Sequence, residues 1–419
     1  MSNQAKKFHI VTLGCRTNQY ETGAYAHQLQ DLGWKPTSEG ERADVCVVNT
    51  CTVTASADSH SRHAIRQLKR DHPEAQIWVT GCLAERDPEG VRSIEGVTAV
   101  VSNLEKEFLV NYMLPEADVP EFNIETFEGH TRAFVKVQDG CNSFCSYCVI
   151  PYVRGRSRSK TVDEVLKEVE QLVANGYKEI VLTGINIGDF DGQKPGEIRL
   201  VDLVREVDAI EGVKRLRLSS IDPDEVDQDL QDAILKGRST CPSLHIVLQS
   251  GSNFILKRMG RKYTRQIFLD TCQRLRAECP DFGFTTDVIV GFPGESDYDF
   301  RQTLEVIEQT RFSKVHMFPF SARPQTKAAR FTDTVDPKVI SQRKSELLHA
   351  SEQHAFELRQ QYLEREMVIL TEQAEALGCE GHTHNFIKVK VPGLEKAPNE
   401  FIRVKIIGNE ATGLIGELV

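Results

Sequence analysis

The sequence predicts an α/β chain of three units: an N-terminal parallel α/β domain, a central open (β/α)6 barrel and a small C-terminal β-barrel. Three observations carry this. Short β-branched runs alternate with helix-like segments over most of the chain, a stretch bearing Pro115, Pro120 and several carboxylates interrupts them, and the tail changes to short strands between Gly, Pro and Asn turns. At roughly 150 residues per domain, a length of 419 allows two or three packed units. The expected spans are 1–115, 130–358 and 359–419.

The first unit reads HIVTLG, ETGAYAHQLQDLGW, DVCVVNT, SADSHSRHAIRQLKRDH, IWVTG and VTAVVSN. This is β-α-β-α-β with right-handed crossovers, hence a parallel sheet. Cys15 ends the first strand, Cys51 the second and Cys82 the third, which brings three thiols to the carboxyl edge, where open α/β folds bind ligands. A lone cysteine is more often a small buried residue, as expected for Cys46 on its apolar strand; three equivalent strand ends point to a shared site. Residues Asn111 to Arg132, including Gly129, have no sustained period and read as a linker.

Beyond the linker, FVKVQDGC, EIVLTGIN, RLRLSS, HIVLQSGS, FTTDVIVGFPGE and KVHMFPFS are six strands. Helices are expected over Val162–Asn175, Leu200–Ile210, Glu225–Leu235, Thr264–Glu278 and Tyr298–Thr310, an order that suggests a barrel with its site at the carboxyl end of the strands. A polar helix from Pro337 to about Glu366 leads to the tail, where MVILTE, HNFIKVKV, EFIRVKII and GLIGELV read as strands of a small barrel.

The formal charge of -10 argues against a protein that grips nucleic acid with its whole surface, while leaving local patches open. From Phe356 to Val419, seven Lys/Arg face ten Asp/Glu, so the tail is itself acidic. No apolar run approaches the roughly 20 residues of a membrane span, and the N-terminus lacks a signal-peptide core, so a cytoplasmic protein without membrane partners is expected. Eleven cysteines, an odd number, suggest metal or redox chemistry rather than a disulfide framework.

Cys141, Cys145 and Cys148 form C-x3-C-x2-C directly after a strand. Three thiolates on one loop leave a zinc tetrahedron incomplete, and no His or Cys follows closely; they suit a [4Fe-4S] cube with its fourth iron open to a ligand.

At these residues the chain resembles the radical S-adenosylmethionine enzymes, whose signature is this spacing with an aromatic residue before the last cysteine, here Tyr147. With LGC, NTC and TGC upstream, and TGIN, LSSIDP, QSGS and DVIVGFPGES downstream, it resembles the methylthiotransferase family along essentially the whole chain. The resemblance implies two [4Fe-4S] clusters, S-adenosyl-L-methionine as cofactor and a TRAM-type C-terminal barrel. It assigns one cluster to Cys141, Cys145 and Cys148, and an auxiliary cluster to Cys15, Cys51 and Cys82.

GCRTNQYET and CNSFCSYCVIPYVRGRSRS look most like the branch that adds a methylthio group to C2 of N6-threonylcarbamoyladenosine at position 37 of tRNA. Sister branches act on isopentenyladenosine in tRNA or on a ribosomal-protein aspartate. Outside the enzyme class, the alternative is an iron-sulfur redox sensor that binds RNA. The implied partners are a tRNA anticodon stem-loop and an electron donor such as a flavodoxin or ferredoxin.

Strand ends supply the expected S-adenosylmethionine contacts: Thr183, Gly184 and Asn186 at its amino-acid end, Ser219 and Gln249 at ribose hydroxyls or carboxylate, Asp287 and Ile289 beside ribose and adenine, and Tyr147 beside the cluster. Arg154, Arg156 and Arg158, followed by Lys160, are expected to meet substrate phosphates. The run Lys257, Arg258, Arg261, Lys262 and Arg265 reads equally as a solvated face. Phe144, Tyr152, Phe318 and Phe320 are candidates to stack on a splayed anticodon-loop base, with core packing an equal alternative for Phe318 and Phe320 on the sixth strand. Cys241, Cys272, Cys279 and Cys379 match no cluster spacing and read as ordinary thiols.

Overall fold

The computed structural model describes residues 5–126, 131–372 and 378–419. Its N-terminal unit runs β1 (Lys7–Thr12), α1 (Arg16–Asp31), β2 (Lys35–Pro36), β3 (Val45–Thr50), α2 (Ala55–Asp71), β4 (Gln76–Gly81), α3 (Cys82–Arg86), α4 (Pro88–Arg92), β5 (Val97–Val100) and α5 (Leu109–Met113). The sheet is parallel, in the order β2-β1-β3-β4-β5. Every residue of β3 is buried, as its apolar run VCVVNT requires of a central strand covered on both faces. The strand order reverses between β1 and β3, so Cys15 and Cys51 emerge where the crossovers diverge and leave a crevice.

The central unit runs β6 (Arg132–Lys136), β7 (Gln138–Asp139), α6 (Ile150–Val153), β8 (Arg158–Ser159), α7 (Val162–Ala174), β9 (Glu179–Thr183), α8 (Leu200–Ala209), β10 (Arg215–Leu218) and β11 (Ser220–Ile221). It continues with α9 (Gln228–Lys236), β12 (Ser243–Ile246), α10 (Asn253–Met259), α11 (Arg265–Glu278), β13 (Gly283–Val290), α12 (Asp297–Thr310) and β14 (Lys314–Pro319). Two parallel sheets, β6-β9-β10 and β11-β12-β13-β14, meet through a parallel bridge between Leu216 and Thr240. Among the described residues β6 and β14 do not pair, so the barrel is open. Local chemistry sets the helix starts: Thr161 with Glu164 and Ser296 with Asp299 form capping boxes. The helix expected from Glu225 begins instead at Gln228, because the Asp227 side chain accepts from the Leu230 amide at 2.9 Å and caps it there.

The expected linker is packed rather than free. Ile124 is buried in the barrel core, and Gln28 Nε2 donates to the Pro120 carbonyl at 2.7 Å; residues 127–130, with Gly129, lie outside the described part. Tyr20 and Ala24 of α1 join the same core as Val135, Val165 and Ile180, so the first two units share one apolar interior.

After α13 (Pro337–Gln360), five strands close the tail barrel: β15 (Glu366–Thr371), β16 (Gly378–Thr383), β17 (Lys388–Pro392), β18 (Phe401–Glu410) and β19 (Gly413–Leu418). Four were expected. The additional β16, GCEGHT, lacks apolar alternation, and its Gly381 is required because a Cβ there would stand 2.2 Å from the Leu370 carbonyl oxygen of β15. This barrel docks on the amino ends of the (β/α)6 strands. Arg215 donates to the carbonyls of His382 and Val368, Arg217 to those of Thr383 and His384, and Lys178 to that of Asn399.

Candidate active site

The carboxyl edge of the N-terminal sheet faces the carboxyl end of the barrel. Ser321 and Arg323, just beyond β14, reach across: Ser321 Oγ accepts from the Ala55 amide at 3.1 Å, and Arg323 donates to Asp58 at 2.5 Å and Thr52 at 3.1 Å. Arg86 binds the same Asp58 carboxylate at 2.6 Å.

Within this interface Cys15 is the exposed N-cap of α1, while Cys51 and Cys82 are buried. A Cβ on Gly14 would stand 2.9 Å from the Cys51 sulfur, so the backbone of the first strand end touches the thiol of the second. Asn103 Nδ2 donates to Cys82 Sγ at 3.9 Å and to the Val153 carbonyl at 2.7 Å. Burial pushes the Cys51 thiol up and the Cys82 thiol up to about 11, so binding a cationic group must release their protons.

The second triad lies on the loop after β6 and β7. Cys141 Sγ accepts from the Ser143 amide at 3.4 Å, and Cys145 Sγ from Arg261 at 3.1 Å. Ser146 is anchored to α10 by its amide on the Met259 carbonyl and its hydroxyl on that of Arg258. Burial and the neighbouring Cys145 sulfur push Cys148 up to about 12. Among the described residues no three or more His, Cys, Asp or Glu side chains gather at the spacing of one metal ion. The donors on Cys141 and Cys145 are of the kind that stabilise a thiolate ligand.

Around this loop stand the strand-end residues. Thr183 and Asn186 are buried, and a Cβ on Gly184 would meet both oxygens of Gln138 at 2.9 Å. Ser219 Oγ and Gln249 Oε1 are buried without a hydrogen-bond partner among the described residues. Such atoms are open to a water or to a polar ligand. Gln249 adopts a positive φ of 60° while its amide and carbonyl pair with Asp287 and Ile289 on β13. Tyr147 and Ile289 pack in one apolar cluster with Phe292 and Phe320.

The family models that match are the uncharacterized protein family UPF0004, over residues 7–102, and the radical SAM superfamily, over residues 135–307. Among solved structures the fold is similar to the radical S-adenosylmethionine methyltransferase TsrM from Kitasatospora setae. The TM-score is 0.56 at 15% identity, covering 78% of this chain and 77% of that one. The cobalamin-dependent S-adenosylmethionine radical enzyme OxsB matches with a TM-score of 0.51 at 12% identity, over 85% of this chain and 58% of that one. A Chlamydia pneumoniae protein described as threonylcarbamoyladenosine tRNA methylthiotransferase MtaB is 49% identical over 98% of each chain. The Bacillus subtilis protein of that description is 39% identical over 96% of this chain and 93% of its own. A tRNA-2-methylthio-N(6)-dimethylallyladenosine synthase from Desulfotalea psychrophila is 32% identical over 99% of each. This chain belongs to the radical S-adenosylmethionine methylthiotransferase family.

As a radical S-adenosylmethionine enzyme, the methylthiotransferase uses a [4Fe-4S] cluster and S-adenosylmethionine. Of its three expected phosphate-binding arginines, Arg154 requires correction. It is fully buried, donating to Glu21 at 2.9 Å, Asp139 at 2.8 Å and Asn18 at 2.5 Å, and therefore cannot meet a phosphate. The cause is charge compensation. Glu21 and Asp139 are held ionised by Arg154 and Lys106, with Lys136 close by, and Arg154 in turn lies beside Cys82 and Cys15. Arg156 and Arg158 remain exposed; Arg156 stacks 4.4 Å over Phe144, whose ring meets the exposed Tyr152 edge-on.

The second basic run divides similarly. Arg258 pairs with Asp333 and Arg265 with Glu305, Arg261 joins Asp222 to Cys145, and Lys257 and Lys262 are exposed. Two further residues that hold these strand ends carried no signal in the sequence. Gln138 accepts the amides of Ile185 and Asn186 at 3.0 Å and donates to Gly140 and Ser157, stapling cluster loop, arginine segment and TGIN turn together. Glu225 accepts from Asn186 at 3.1 Å. Both are ordinary polar residues whose partners are distant in sequence. The tail barrel's cations are mostly spent internally, on Lys388–Glu380, Lys396–Glu400, Arg403–Glu366 and Lys405–Glu364.

Proposed function

We propose that this methylthiotransferase adds a methylthio group to C2 of N6-threonylcarbamoyladenosine at position 37, in the anticodon stem-loop of tRNA. The observation that carries this is the 49% identity, over nearly the full length of both chains, to a relative described by that activity; the dimethylallyladenosine relative stands at 32%.

Carbon 2 of adenine has no acidic proton and no leaving group, so acid-base catalysis alone has little purchase on it. With two clusters and S-adenosylmethionine bound, the site supplies a 5'-deoxyadenosyl radical and a methylated sulfur. Cys141, Cys145 and Cys148 hold the first cluster, with Arg261 stabilising the Cys145 thiolate; Cys15, Cys51 and Cys82 hold the second. Thr183, Gly184 and Asn186 receive the amino-acid end of S-adenosylmethionine, the free acceptors of Ser219 and Gln249 its hydroxyls, Asp287 its ribose, and Tyr147 and Ile289 form an apolar wall for its adenine. Burial of Cys51, Cys82 and Cys145 at the interface between the units limits the access of water to them. Arg156 and Arg158, beside Phe144 and Tyr152, meet RNA phosphates and bases at the rim, and a flavodoxin or ferredoxin supplies electrons.

Nucleoside mass spectrometry of tRNA from cells with and without the protein tests this. The threonylcarbamoyl nucleoside should accumulate without it and appear as the 2-methylthio form with it. The C2–H bond breaks as the C–S bond forms, so deuterium at C2 should be found in 5'-deoxyadenosine. Preference for isopentenyl-bearing tRNA, or action on a ribosomal protein instead, would overturn the assignment.

A further inference from the structure

We infer that Arg16 is the specificity residue of the site, its guanidinium pairing with the carboxylate at the end of the threonylcarbamoyl arm; this rests on the substrate reading above. Arg16 opens α1 directly after Cys15, and α1 lies against β6, the edge strand of the open barrel. From there its exposed side chain faces the open lumen. It stands 5.6 Å over the Phe134 ring and lines a cavity of about 40 Å³ with Arg132, Val181, Arg217, Thr285 and Phe386.

The other cations of this cavity are committed. Arg217 pairs with Glu179 at 2.8 Å and donates to the carbonyls of Thr383 and His384; Arg132 reaches Glu372 at 3.5 Å and stacks on Phe386. The guanidinium of Arg16 has no hydrogen-bond or ion-pair partner among the described residues. Glu179 and Asp287 act on it only through space, and Asp287 is already 3.4 Å from His245. Arg16 is solvent-exposed, so its five donors are free to pair with an anion brought into a lumen that also holds Arg132 and Arg217.

The chemistry selects among substrates. A threonylcarbamoyl group ends in one carboxylate and one hydroxyl, whereas an isopentenyl group ends in methyls and carries no charge. The cavity has room for about three waters, enough for a carboxylate and its neighbours and too little for a purine, so only the end of the arm enters it. Because Arg16 follows Cys15 in the chain, one helix start positions both the auxiliary thiol and the anion site.

The test compares anticodon stem-loops carrying either the threonylcarbamoyl acid or its carboxamide, assayed with one preparation of holoenzyme so that cluster loading cancels in the ratio. The native enzyme should favour the acid by about ten- to one-hundredfold in kcat/KM and in stem-loop affinity. Arg16→Gln should bring both ratios close to one, and Arg16→Lys should restore part of the preference; if Arg16→Gln abolishes turnover, the affinity ratio still decides. An unchanged ratio in Arg16→Gln overturns the assignment. A native enzyme that modifies acid and amide equally refutes the role of Arg16 while leaving the substrate intact; one that modifies neither refutes both.

Discussion

Arg154 donates to Glu21 at 2.9 Å, tying the segment that follows one cysteine triad to the helix that begins at the other. The pair belongs to a buried network in which Arg154 and Lys106 hold both Glu21 and Asp139, with the Lys136 ammonium 3.8 Å from Glu21. Lys136 is itself shared with Glu107 at 3.2 Å, and the charge that reaches the cysteines is that of Arg154, which lies beside Cys82 and Cys15 and favours their thiolate forms.

Breaking such a network leaves uncompensated charges in the interior, so Arg154→Gln should cost about 3–5 kcal/mol in denaturant unfolding and release iron from the auxiliary triad. Arg154→Lys should recover only part, since the fork to Glu21 and Asp139 is lost. Arg156→Gln should change stability by less than about 0.5 kcal/mol. Equal effects at 154 and 156 would contradict the network's role.

Two independent cysteine triads predict about eight irons per anaerobically reconstituted chain, and about four after replacement of either triad by Ala. The variant lacking Cys15, Cys51 and Cys82 should still produce 5'-deoxyadenosine without methylthio product, and the one lacking Cys141, Cys145 and Cys148 should produce neither. Iron analysis with product assays distinguishes this from a single shared cluster, in which either variant would lose all iron.

The exposed Arg156 and Arg158 predict a salt-sensitive grip on RNA. Arg156→Gln with Arg158→Gln should reduce the slope of log affinity against log salt by about 0.7–0.9 per arginine while iron content is retained. Titrations at several salt concentrations decide; an unchanged slope removes both residues from the phosphate contacts. The acidic tail barrel should contribute little to this slope, because most of its cations are already paired with Glu380, Glu400, Glu366 and Glu364.

Glu225 supplies a pH dependence. Burial, then the Asp222 carboxylate, push its carboxyl from 4.5 up to about 7, against the opposing hydrogen bond from Asn186. Between those values the folded chain keeps a proton that the unfolded chain releases, so this group's contribution to stability falls as pH rises from about 4.5 to 7 and is constant above. Relative to Glu225→Gln, the native protein should therefore lose ground in unfolding midpoint between pH 5 and 7. A pH-independent difference would show that Glu225 is ionised throughout.

Much of the fold was legible because its signals are local. Period-two and helical runs, capping boxes and strand-end cysteines are each written within a few residues, and α7, α8, α11 and α12 lie within two residues of the expected bounds. β16 escaped because its glycines answer to the backbone of β15, a neighbour no sequence window contains.

The site shows the same division more sharply. Residue types and spacings alone placed three thiols on one loop and three at one sheet edge, and the chain's charge excluded a uniformly basic surface. Only the tertiary structure decided which arginines are free. Arg154, Arg156 and Arg158 are alike in sequence, yet Arg154 is drawn inside by Glu21, more than a hundred residues away, while Arg156 stays at the rim and Arg16 faces the lumen. A charge takes its role from the partners and solvent around it, and those are set by packing between distant segments.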